Sequence, residues 1–112
     1  MSPWSARRAL PTQLWPEMDR AMVADLFRND DPLTGSGALA HLRPSTRGIY
    51  EKDIGFWLGH LLSEGVDLEA EDPGERLKLA RLRSFDRAIA ALAPATRHSR
   101  FTSLVQTEAA SP

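Results

Sequence analysis

Basic and hydroxyl residues gather at two places that read as helix starts. The first is Arg43-Pro44-Ser45-Thr46-Arg47, running on to Tyr50, Phe56-Trp57-Leu58 and Leu61-Leu62. The second is Leu92-Ala93-Pro94-Ala95-Thr96-Arg97-His98-Ser99-Arg100, running on to Phe101 and Leu104. In each, a hydroxyl residue can cap free backbone N–H groups, an Arg lies just inside, and apolar residues follow at helical spacing. Unsatisfied N–H groups and the helix dipole favour a phosphate there, and neighbouring bases strengthen the site. Arg43, Thr46, Arg47, Thr96, Arg97 and Arg100 are therefore candidate phosphate contacts. Between the two starts, Arg76, Arg83 and Arg87 lie seven and four residues apart and share one helix face, opposite Leu82, Phe85 and Ile89. A stripe of guanidinium groups can bridge phosphates, and Arg can also read guanine edges. The plainer reading of both features is ordinary capping and a solvated helix face.

Gly48, Gly55 and Gly59 fall inside the helix that the first start opens, each costing about 1 kcal/mol relative to Ala. With Lys52 they lie on the face away from Tyr50 and Trp57. A bare face lets another surface approach closely, whether DNA, a partner protein or a neighbouring helix of the same domain. Catalytic chemistry is thin. Tyr50 is the only tyrosine, but Thr46, Ile54 and Trp57 flank it at helical spacing, which predicts core packing. His41, His60 and His98 lack ligand spacing and there is no cysteine, so neither a metal nor a disulfide framework is expected. Gly35-Ser36-Gly37 is followed by Ala and Leu, not by the Lys-Ser/Thr of a phosphate-cradling loop. The acidic run lacks the ordered Asp/Asn alternation of a calcium loop. No cofactor and no catalytic constellation are expected.

The elements that position these residues are helical, and no sustained period-two alternation indicates a strand. Residues 1–11 read as a flexible arm. A helix follows from about Trp15-Pro16, with Met18, Met22 and Leu26 on one face, and ends before Asn29-Asp30-Asp31-Pro32. Residues 29–44 read as a loop in which Leu39 and Leu42 form at most a short turn. The second helix spans about Ser45 to Glu64, with Thr46, Tyr50, Ile54, Trp57 and Leu61 inward and Gly65 as its stop. The third runs from about Gly74 to Ala93, where Pro94 breaks it, and the fourth begins at Ala95-Thr96. Residues 107–112 read as a tail or the start of a linker. The expected core is Met22, Leu26, Tyr50, Trp57, Leu61, Leu82, Phe85, Ile89, Phe101 and Leu104.

At 112 residues with 42% hydrophobic and 26% charged content, the chain reads as one globular domain. No apolar run approaches the ~20 residues of a membrane helix, and the N-terminus lacks the apolar stretch of a signal peptide, so a cytoplasmic location and no membrane partner are expected. The formal net charge of −1 argues against a polyanion ligand until its distribution is considered. Residues 64–75 hold six acids and no base, whereas residues 76–100 hold seven bases and one acid, Asp86. Such asymmetry makes a local positive field possible on a near-neutral protein.

The two helix starts, about fifty residues apart with a basic helix between them, resemble the N-terminal core-binding (SAM-like) domain of tyrosine recombinases of the phage-integrase type. The resemblance covers roughly residues 12–106 and implies an all-α fold, a four- to five-helix orthogonal bundle built as two crossed helix pairs. It implies duplex DNA as ligand, with Arg43, Thr46, Arg47, Lys52, Arg76, Arg83, Arg87, Thr96, Arg97 and Arg100 as the DNA-binding set. Partners would be a C-terminal catalytic recombinase domain or other recombinase protomers. That family's nucleophilic tyrosine and its His-x-x-Arg motif belong to the catalytic domain. His98-Ser99-Arg100 has the wrong spacing for that motif, so the chain is expected not to be an enzyme. The rival expectation is a small helical protein-interaction module that never touches DNA.

Overall fold

The computed structural model describes residues 3–27 and 44–108. Arg43, His41 and the expected loop turn at Leu39 and Leu42 lie outside the described residues. The described chain is all-α: α1 spans Glu17–Leu26, α2 Pro44–Ser63, α3 Leu79–Ala88 and α4 Pro94–Glu108, with single 3-10 turns at Thr12–Leu14 and Leu68–Ala70.

Helix α1 starts behind Pro16, whose extended backbone fills the cap position, and Glu17 and Asp19 place negative charge in its first turn, where the dipole favours it. Helix α2 ends as expected at glycine. Gly65 has φ +81°, and the Val66 and Gly65 N–H groups donate to the carbonyls of Leu61 and Leu62, both at 3.0 Å. This paired closure of the last turn needs a left-handed residue at Gly65.

Helix α2 is the centre of the fold. Ile54, Trp57 and Leu61, its expected inward face, are fully buried, and so is Leu58 on another face. Asp53, Gly55, Gly59 and His60 are buried as well. Over its C-terminal half the helix is therefore covered nearly all round. Trp15 and Val23 join its core from the α1 side, Phe85 from α3, Ile89 from the residue just after α3, and Leu104 from α4. Asp53 accepts hydrogen bonds from Ser103 (2.7 Å) and Ser99 (3.3 Å), which tie α2 to α4. Met22, Leu82 and Phe101 are half-buried at the margin of this core. Tyr50, expected inside, lies half-buried at the edge, its ring edge-on to Phe27 with centroids 5.9 Å apart.

Two expectations about element limits are corrected. Helix α3 is shorter than the sequence suggests: residues 73–76 form turns, and its first residue is Leu79. At its other end α3 stops at Ala88 rather than Ala93, and Pro94 does not break it; Pro94 is the first residue of α4, where a missing N–H costs nothing.

The third correction concerns the N-terminal arm. Residues 3–11 form a strap seated on α2, with Ala6 and Leu10 in the core. The Leu10 N–H donates to the Gly55 carbonyl at 2.9 Å, the Trp15 indole N–H donates to the Leu10 carbonyl at 2.7 Å, and Arg100 reaches the Ala6 carbonyl at 3.3 Å. The bare face of α2 is occupied by this strap. A Cβ on Gly59 would stand 2.5 Å from the Arg8 carbonyl oxygen, and one on Gly55 2.9 Å from that of Leu10. Gly48, by contrast, has nothing within 4 Å. Gly48→Ala is thus expected to stabilise by about 0.5–1 kcal/mol through helix propensity, while Gly59→Ala lowers stability by displacing the strap. Chemical unfolding of the two variants checks this, and equal effects would mean the strap does not dock in solution.

Candidate nucleic-acid interface

The nine described candidate residues separate into exposed, paired and buried groups once the helices are in place. Arg76 is the clearest correction. Its side chain is completely buried and grips Asp19 of α1 with both terminal nitrogens, at 2.6 and 2.9 Å, while also donating to the Leu68 carbonyl at 2.6 Å. It lies in the turn before α3 and cannot meet DNA. Arg100 is corrected too. It is buried, stacked 3.8 Å above the centre of the Phe56 ring, and bonded to the Ala6 carbonyl. Burial lowers its pKa, against the opposing pull of Asp53.

Arg47 and Arg97 are half-buried and already paired with carboxylates. Arg47 pairs with Glu51 at 2.8 Å and lies over the Phe27 ring. Arg97 pairs with Asp86 at 2.7 Å, which fixes the start of α4 to α3. Thr46 is half-buried in the first turn of α2, and Thr96 is exposed in the first turn of α4. Lys52, Arg83 and Arg87 are exposed and have no acidic partner among the described residues. Arg83 and Arg87 stand on the face of α3 opposite buried Phe85 and so point away from α2.

Sequence reasoning missed further cations. Arg7 and Arg8 of the strap, and Arg20 of α1, are also exposed without an acidic partner among the described residues. Arg8 is held in place by stacking 4.6 Å from the centre of the Trp4 ring and by a 3.2 Å bond to the Pro3 carbonyl. A sequence signal for this region exists: residues 1–16 contain no Asp or Glu.

Negative charge collects elsewhere. A groove of about 510 Å3 opens where the end of α2, residues 64–71 and α3 meet, lined by His60, Glu64, Asp67, Glu71, Arg81 and Ser84 among others. Glu71 accepts from Arg81 (2.8 Å) and Lys78 (2.9 Å), which hold its carboxyl down at about 2. Ser84 donates to Glu64, whose carboxylate lies 3.2 Å from His60 Nε2. Burial pushes the His60 imidazole below its ordinary pKa, against the pull of Glu64. Ser84, Glu64 and His60 thus sit in a row along this groove, with His60 Nε2 and one Arg81 nitrogen left without a hydrogen bond. Among the described residues, no group of three or more His, Cys, Asp or Glu side chains could hold a metal ion, and no helix is long and apolar enough to cross a membrane. No protein-family model, curated protein or solved structure matches the chain.

Proposed function

We propose that the chain is a DNA-binding domain acting in site-specific recombination in the cytoplasm, of the core-binding type of tyrosine recombinases. It grips duplex DNA while a separate catalytic domain supplies strand exchange. The observation that carries the reading is the stripe of Arg83 and Arg87 on α3: two exposed cations, unpaired among the described residues, on a protein whose other described candidate cations, Lys52 apart, are paired or buried. The helix starts of α2 and α4 supply the recombinase context through their resemblance to that family. Tyr50 is not the nucleophile in this reading, since its ring packs on Phe27 beside the core. The rival, a protein-interaction module with no DNA ligand, is favoured by the acid-rimmed groove below α3.

Binding to random duplex is expected to weaken with salt, each neutralised phosphate adding a slope of ~0.9 in log K against log salt. Replacing Arg83 and Arg87 by Ala should flatten that slope by about 1–2 without changing the melting temperature, because neither side chain touches the core. A wild-type chain that shifts no duplex at micromolar concentration and low salt would discard the reading in favour of the rival.

A further inference from the structure

The strap does more than fill a notch. We propose that residues 3–10, together with Lys52, form a second phosphate-contacting face for duplex DNA; the proposal rests on the DNA-binding reading above. Three features of this face support it. First, the strap carries no acid: residues 1–16 contain no Asp or Glu, and of the two carboxylates flanking Lys52 in α2, Glu51 is paired with Arg47 and Asp53 is buried and bonded to Ser99 and Ser103. Second, Arg7 and Arg8 are exposed and have no acidic partner among the described residues. Third, they are held in place. The strap backbone is pinned at Leu10 by Gly55 and by Trp15 and at Ala6 by Arg100, and Arg8 is braced against Trp4. Cations on a seated strap meet phosphates without the ordering cost a free arm incurs on binding.

This face is separate from the α3 stripe. Gly55 and Gly59 lie on the side of α2 away from Trp57, and Trp57 packs on Phe85 of α3. Arg83 and Arg87 point outward from the opposite side of the domain, so loss of one set leaves the other intact.

The test is fluorescence anisotropy of the full chain on a short random-sequence duplex across a salt series. Arg7→Ala/Arg8→Ala is expected to flatten the log K against log salt slope by about 1–2, and Arg7→Lys/Arg8→Lys to restore it, because charge and not packing is at issue. Because the two faces point in opposite directions and one short duplex meets only one of them, the combined variant with Arg83→Ala/Arg87→Ala should lose the duplex binding that either pair variant alone keeps. An unchanged slope in Arg7→Ala/Arg8→Ala, with a flattened one in Arg83→Ala/Arg87→Ala, overturns the strap proposal and leaves DNA binding standing. So does a strap pair that is needed for binding phosphatidylserine vesicles but not duplex. Absence of duplex binding by the wild-type chain overturns both.

Discussion

Arg76→Ala is expected to cost about 3–5 kcal/mol of folding stability, and Asp19→Ala a similar amount. Both side chains are fully buried, and their two hydrogen bonds join positions 57 residues apart in the chain. Removing either partner leaves a charge stranded in a site that excludes water, and the penalty comes mainly from that stranded charge. Arg76→Ala also deprives the Leu68 carbonyl of its donor. The double variant should therefore cost clearly less than the sum of the singles, a coupling that marks direct contact. Urea unfolding followed by circular dichroism gives the three numbers. Singles that cost less than about 1 kcal/mol each, the range of exposed pairs, would mean that the pair is solvated.

This pair also explains why the basic stripe is only partly legible in the sequence. Spacing places Arg76, Arg83 and Arg87 on one face of an unbroken helix, but spacing cannot tell a free guanidinium from one claimed by a distant carboxylate. The claimant is visible. Asp19 shares a face of α1 with Val23 and Leu26, at intervals of four and three, and a carboxylate on an apolar face must find a buried cation. Arg100 carries the same signal, being flanked by Phe101 and Leu104 at the positions that face the core.

The helices are legible because their starts and stops are local chemistry. Pro16, Pro44 and Pro94 lie at or just before helix starts, and Gly65 supplies the one positive φ among the described residues. The second helix misleads in a different way. Its inward face is marked correctly at Ile54, Trp57 and Leu61, but a single-face reading assumes that the other side meets solvent. Here that side is covered by a strap with no regular periodicity, so nothing in its own pattern announces Ala6 and Leu10 as core. The glycines are the legible half of that contact, since two buried glycines one turn apart imply a close backbone neighbour. Its identity as residues 5–10 depends on the tertiary fold. For the candidate interface, the sequence marks Lys52, Arg83 and Arg87 among its exposed bases but passes over Arg7 and Arg8, because an arm taken as unfolded offers no fixed surface.

Trp57→Ala is expected to be the other costly substitution, at about 3–5 kcal/mol. The side chain has no exposed surface and meets Phe85 edge-on, with ring centroids 5.3 Å apart at 73°. Phe85 in turn packs on His60 and Phe101, so one ring of α2 supports both α3 and α4. Truncation opens a cavity at the junction of three helices, which cannot all collapse inward at once. A domain of this size has only about 5–15 kcal/mol to lose, so the variant should unfold at markedly lower temperature or denaturant. Trp57→Phe should cost much less, because it keeps an aromatic partner for Phe85 and the indole N–H forms no hydrogen bond in the structure. A Trp57→Ala protein melting within about two degrees of wild type would place that side chain at the surface. The strap, on the opposite side of α2, would then lose its assignment as well, since the two faces of one helix cannot be reassigned separately.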